Sequence, residues 1–276
     1  VSKNKPLHPL KLPDFNIIKL IIFVSGLSIM LPASTANLSV YAEKWNFDKP
    51  LTELSPPQLK QQAAAITVKV LSTEFLGSGI LLKKQRNIYT ILTNAHVLEA
   101  DEPPYKIVTP DGKVYKAEVL KKANLAKYDL IILQFSSSKT YSVATIGKQP
   151  KRGDEVFVAG FPAKEENAVQ NLKLTTGKIA LVLEKALERG YQIGYTNQLE
   201  KGMSGGALLN KHGELIGVNG MHAYPIWDTP SVFIDGTPTA ETLHQQIVRL
   251  SWAVPIDKLK PSPSYSSRSQ SPLSRS

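Results

Sequence analysis

From Ile66 onward the chain is cut into short runs rich in β-branched residues, and this pattern limits the fold more than any other feature. Residues 66–70, Ile-Thr-Val-Lys-Val, alternate apolar and polar, and 114–120 follow the turn Pro110-Asp111-Gly112-Lys113. A period of two sends successive side chains to opposite faces of an extended strand. Further apolar runs lie at 88–92, 130–135, 156–159 and 215–218. Many short strands at this spacing predict an all-β body, its sheets closed into barrels or packed as a sandwich. A helix is predicted over 239–250, where Leu243, Ile247, Val248 and Leu250 share one face, followed by a closing strand from Ser251. Ser55 is placed to cap an earlier short helix and Pro56 to begin it, where a missing N–H costs nothing.

With 42% hydrophobic and 20% charged residues in 276, the chain can bury a sizeable core. Cysteine is absent, so neither disulfides nor thiolate metal sites hold the fold. The histidines, His8, His96, His212, His222 and His244, do not fall at metal-ligand spacing, and no metal is expected. A formal charge of +10 invites a nucleic-acid or membrane partner, but the lysines are spread without clustering or interleaved aromatics. No nucleic-acid partner is expected.

Residues 1–36 read as an export signal. Lysines precede the apolar stretch 20–31, and Ser34 and Ala36 fit a small-x-small cleavage pattern with the cut after Ala36. That stretch falls short of the ~20 residues that cross a bilayer. The expectation is a periplasmic or secreted product with no stable membrane span after cleavage, stable on its core alone although export permits disulfides. Residues 37–58 read as a linker or pro-segment. Residues 259–276, rich in Ser, Pro and Arg, read as a disordered tail.

Three segments carry chemistry, in this order: Thr93-Asn94-Ala95-His96-Val97, Lys127-Tyr128-Asp129-Leu130 and Gly202-Met203-Ser204-Gly205-Gly206. A serine hydroxyl is a weak nucleophile until a neighbouring imidazole takes its proton, and a buried carboxylate fixes the tautomer of that imidazole. The serine segment also satisfies the Gly-x-Ser-x-Gly elbow of α/β-hydrolases, which requires a helix after the serine and its acid and histidine later in the chain. Here 207–209 run into the turn Asn210-Lys211-His212-Gly213 and a further apolar run, which is a hairpin. The elbow reading fails.

Taken jointly, the segments resemble the chymotrypsin-like serine proteases, most closely their HtrA-type bacterial branch. The likeness covers roughly 60–258 and extends to Gly77-Ser78-Gly79-Ile80, Gly160-Phe161-Pro162 and the run from Gly213 to Asn219. It implies two antiparallel β-barrels, 59–148 and 149–258, with an active site in the cleft between them. His96 and Asp129 would come from the first barrel and Ser204 from the second. Ser204 would attack the scissile carbonyl, His96 would carry the proton, and Asp129 would orient His96. Backbone N–H groups of Gly202 and Ser204 would form the oxyanion hole, with no cofactor. Ile131 departs from the small residue usual two places after the aspartate, which makes Asp111 the alternative carboxylate.

The resemblance also bears on activation and specificity. Met203 stands where zymogen-type relatives carry an aspartate that pairs with a freed N-terminus, so no such activation is expected. Gln198, six residues before the serine, would floor the primary pocket, and Asn219, Gly220 and Met221 would line its wall. A neutral floor implies no strong preference for Arg or Lys, although Glu200 lies nearby. HtrA-type enzymes usually carry a PDZ module after the protease, and with so few residues after Lys258 none is expected here. The expected function is an exported serine endopeptidase acting on proteins or peptides, of open oligomeric state. A catalytically inactive peptide binder and an esterase on the same scaffold are the alternatives.

Overall fold

The computed structural model describes residues 52–120, 125, 127–163, 171–223 and 230–259. The predicted export signal and most of the predicted linker and tail lie outside them. Helix α1 (Pro56–Ile66) leads into β1 (Thr67–Leu71), β2 (Phe75–Gln85) and β3 (Ile88–Thr93). The short helix α2 (Ala95–Glu99) precedes β4 (Tyr105–Val108), β5 (Val114–Leu120) and β6 (Ile131–Ser136). Strands β7 (Glu155–Gly160), β8 (Lys173–Val182), β9 (Ile193–Tyr195), β10 (Ala207–Asn210) and β11 (Leu215–Met221) follow, then α3 (Glu241–Ile247) and β12 (Ser251–Pro255).

These strands close two antiparallel barrels, β1-β2-β3-β6-β5-β4 and β10-β11-β12-β9-β8-β7. Pairing of β1 with β4 shuts the first, Val70 opposite Ile107, and pairing of β10 with β7 shuts the second, Leu208 opposite Val158. Closure gives every strand a hydrogen-bonded neighbour on each side and leaves no edge strand in either barrel.

The alternation along each strand separates two kinds of core. Val68, Val70, Tyr89, Ile91, Leu133 and Phe135 fill the first barrel. Val156, Val158, Leu208, Ile216 and Ala253 fill the second. Residues one step out of phase, among them Leu92, Ile132, Phe157, Ala159, Leu209, Trp252 and Val254, meet in a third cluster. Leu59, Ala63 and Ile66 of α1 join that cluster, so the helix is bound by burial as well as by its cap. Ser55 stands at the cap position and Pro56 at the first helical one, as predicted, and the Ser55 N–H donates to Gln58 Oε1 at 2.9 Å. Upstream of it, the Leu54 N–H donates to Lys211 O at 2.9 Å, tying this segment to the β10–β11 turn.

Helix α3 is shorter than its apolar pattern predicts. Ala240 is extended and caps it, and the Thr239 N–H is committed to Ser231 O at 2.9 Å. Its end is gripped by Trp252, fully buried, whose indole N–H donates to Ile247 O at 2.9 Å. Trp252→Ala removes this anchor and leaves a cavity, and should cost about 3–5 kcal/mol of stability. The shift of the urea unfolding midpoint at unchanged slope measures it.

Candidate active site

Strand β3 ends at Thr93, paired with Ile131 at the start of β6, and this register sets the segments after one strand and before the other side by side. His96 lies in α2 and Asp129 in the turn before β6. The His96 backbone N–H donates to Asp129 Oδ1 at 2.9 Å, and His96 Nδ1 lies 2.6 Å from Asp129 Oδ2. The carboxylate side chain is 1% exposed and the imidazole 32%, so the pair is dry on one side and reaches solvent on the other. Burial pushes the Asp129 carboxyl pKa up, but donation from His96 and Tyr191 outweighs it and holds the group below the usual carboxylate range. Asp111 sits in the β4–β5 turn, 2.7 Å from Lys139 and bonded to Thr109, and takes no part.

Ser204 lies in the turn before β10. Its hydroxyl donates to Gly220 O at 3.4 Å, and among the described residues no hydrogen bond joins it to His96. Such bonds are often long before substrate binds. The two loops are nevertheless fastened to each other. Asn94, fully buried two residues before His96, accepts from the Gly205 N–H at 2.7 Å and donates through Nδ2 to Asp129 O at 2.7 Å. One amide thus bonds the carboxylate segment and the serine turn directly, from the loop that carries the histidine. The Ser78 N–H adds a bond to Ser204 O at 2.9 Å.

The turn needs its glycines for space and for handedness. Gly205 has φ +82°, and a Cβ there would stand 2.1 Å from both Ser78 O and Thr93 Oγ1. Gly202 has φ +91°, and its carbonyl accepts from Ser78 Oγ at 2.9 Å, which itself accepts from the Phe161 N–H at 2.8 Å. Among the described residues the N–H groups of Gly202 and Ser204 have no acceptor. Met203 is buried inside the second barrel.

The predicted pocket residues are divided. Asn219, Gly220 and Met221 end β11 behind the serine turn, with Asn219 buried and donating to Met203 O at 3.0 Å. The Asn219 Oδ1 is buried without a partner among the described residues. Gln198 is exposed and no hydrogen bond ties its side chain to these three, while Glu200 is paired with Lys173 at the surface. A cavity of about 260 Å³ adjoins Met221, lined by Leu187, Tyr191, Val232, Ile247 and Val248. Among the described residues, no group of His, Asp or Glu side chains is arranged to hold a metal ion.

Sequence reasoning missed Asn94, Ser78 and Tyr191. Asn94 and Ser78 stood inside quoted motifs and drew no separate role. Tyr191, whose hydroxyl donates to Asp129 Oδ2, carried no local signal.

Residues 77–218 match the trypsin-like peptidase domain family. The serine protease Do-like HtrA of Bacillus subtilis (strain 168) is 28% identical over 151 residues, 52% of this chain and 33% of that protein. The periplasmic pH-dependent serine endoprotease DegQ of Escherichia coli (strain K12) is 29% identical over 177 residues, 63% of this chain and 38% of that protein. The chain therefore spans well under half the length of these relatives. A crystal structure of the serine endoprotease from Yersinia pestis superposes with a TM-score of 0.50 at 25% identity, covering 72% of this chain and 68% of that one.

Proposed function

The chain belongs to the trypsin-like peptidase domain family, and from that premise we propose that it is a serine endopeptidase cleaving proteins or peptides through His96, Asp129 and Ser204. The observation that carries this reading is an imidazole held 2.6 Å from a buried carboxylate, with Asn94 fastening that pair to the serine turn. Ser204 Oγ bonds to the scissile carbonyl carbon as its proton passes to His96 Nε2. The tetrahedral oxyanion is met by the N–H groups of Gly202 and Ser204, where one donor is worth roughly 100–1,000-fold in rate. The C–N bond then breaks, His96 hands the proton to the leaving amine, and water releases the acyl group by the same steps in reverse. Asp129 holds the imidazole with its Nδ1 protonated, leaving Nε2 free to accept.

The same reading assigns Asn219, Gly220 and Met221 to the wall of the pocket for the residue before the cleaved bond. The exposure of Gln198 gives no support to its lining the floor. The work is proposed to take place outside the cytoplasm, after loss of 1–36. That location draws on the small-x-small pattern at Ala36 and on the word periplasmic in the name of the Escherichia coli relative. No helix among the described residues is long and apolar enough to cross a membrane.

A fluorophosphonate probe tests the function. The full chain is expected to take up one equivalent, located on Ser204 by peptide mapping. A folded chain that takes up none is a binder and not an enzyme, and label on another residue moves the nucleophile elsewhere.

A further inference from the structure

The carboxylate of Asp129 is held from both barrels. His96, on the first, supplies two donors; Tyr191, on the turn before β9 of the second, supplies a third, and the Arg189 guanidinium of the same turn adds its charge 3.6 Å from Oδ1. We propose that Tyr191 is a positioning residue for the hydrolysis, its hydroxyl donating to Asp129 Oδ2 and fixing the rotation of the carboxylate that aims His96. This rests on the function proposed above.

The direction of that bond is not in doubt chemically, because an ionised carboxylate can only accept. Burial pushes the Tyr191 phenol far above its ordinary pKa, and the negative charge of Asp129 pushes it further, so the proton stays on the phenol. The bond also has no competitor from β11. A Cβ on Gly220 would stand 2.4 Å from the Tyr191 hydroxyl oxygen and 2.7 Å from Asn94 Oδ1, so any side chain at that position would collide with both. Glycine at 220 and tyrosine at 191 form one arrangement, in which the donor arrives from the neighbouring turn.

That turn is built to deliver it. Arg189 has φ +58°, an uncommon value for a residue with a side chain, and Gly190 has φ +87°. The tight path closes with the Leu187 N–H donating to Tyr191 O at 2.8 Å and the Gly190 N–H to Leu187 O at 2.9 Å. It presses on the aspartate segment: a Cβ on Gly190 would stand 2.5 Å from the ring of Tyr128. The Asp129 N–H donates to Arg189 O at 2.7 Å, so backbone and side chain of Asp129 are gripped by one turn. The Arg189 guanidinium lies 3.6 Å from Asp129 Oδ1 and 2.8 Å from Glu99, closing the outer side of the site. With the His96 N–H on Oδ1 and His96 Nδ1 on Oδ2, the Tyr191 hydroxyl on Oδ2 is the third hydrogen bond by which the carboxylate plane is set.

The test is Tyr191→Phe in the full chain, which keeps the ring against its neighbours and deletes only the hydroxyl. On a peptide substrate, kcat is expected to fall roughly ten- to a hundredfold, the scale of a lost hydrogen bond to a charged group, with KM changed less than about twofold. The low-field proton resonance of the His96 Nδ1–H is expected to move further downfield, since Asp129 Oδ2 with one donor fewer is a stronger acceptor. Unchanged kcat, or a rise in KM alone, overturns the proposal and leaves Tyr191 as a cavity wall. A wild-type chain inert to substrate and probe would end the proposed function and with it a role in hydrolysis, whereas an active wild-type chain with an unmoved resonance in Tyr191→Phe overturns the role of Tyr191 alone. Should Tyr191→Phe fail to fold, fluorotyrosine at 191 keeps the shape while changing donor strength. The same resonance must then move with the number of ring fluorines, and constancy overturns the proposal.

Discussion

Ser204→Ala is expected to lower kcat/KM for a peptide substrate by about 10⁶-fold, the largest loss any single change should produce. The folded state gives no reason for a parallel loss of stability. Among the described residues the hydroxyl makes one hydrogen bond, 3.4 Å to Gly220 O, and the bond from the Ser78 N–H at 2.9 Å goes to its backbone. Alanine keeps that backbone bond and keeps the Cβ, so the urea midpoint should stay within the range of a neutral substitution, about 0.5 kcal/mol. The residual rate belongs to what remains: two N–H groups directed at an oxyanion and a cleft that holds the peptide. Adding His96→Ala in the same chain should therefore cost little more, because the imidazole has no proton to take once the hydroxyl is gone. Initial rates with enzyme in the micromolar range, beside urea unfolding of the same preparations, measure both effects. A loss under tenfold would mean that another group attacks the carbonyl.

Much of the candidate site could be named from sequence because its residues stand in short strings. The candidate residues of Thr93-Asn94-Ala95-His96 and Gly202-Met203-Ser204-Gly205-Gly206 lie within a few positions of each other, and the segments taken jointly, with the resemblance they carry, mark them. The strand pattern left barrel and sandwich both open, and the resemblance decided for the two barrels that are found. At 156–159 every residue is buried, since Val156 and Val158 face the interior of the second barrel while Phe157 and Ala159 face the cluster between barrels. A strand covered on both faces loses its alternation, and with it the clue to which side is which. The helix at 239–250 was overextended because apolar spacing continues past the point where Ala240 and Val248 cap it. Gln198 was placed by a fixed offset from the serine, and its exposure in the finished fold neither adds to nor replaces that placement. Tyr191 was invisible for a stronger reason. Its partner lies 62 residues away on the other barrel, and the contact exists only because Gly190 and Gly220 leave room for it. No local pattern encodes such a pairing.

Asp129→Asn is expected to lower kcat/KM about 10⁴-fold with the chain still folded, and the surrounding donors say why. The amide has one oxygen and one NH2 group to fill places now held by two acceptors. If its oxygen takes the Oδ2 place, the NH2 group faces the His96 N–H, 2.9 Å away, with the Arg189 guanidinium 3.6 Å off, donor against donor. If its oxygen stays at Oδ1, it keeps the His96 N–H, and the NH2 group meets His96 Nδ1 and the Tyr191 oxygen, both able to accept. The second arrangement satisfies the His96 N–H and Nδ1 and costs only the acceptor of the Tyr191 hydroxyl proton, so it is the one adopted. It also forces the imidazole proton onto Nε2, the atom that must take the proton of Ser204. The geometry survives and the tautomer is wrong, so substrate still binds while the nucleophile is no longer activated. KM should accordingly change far less than kcat, and labelling by the fluorophosphonate should slow in step with kcat. ¹⁵N resonances of the His96 ring read the tautomer directly: protonation at Nε2 in the variant against Nδ1 in the parent is the expected exchange. A variant that keeps its proton on Nδ1 and yet loses activity would show that Asp129 acts through its charge and not through the tautomer it selects.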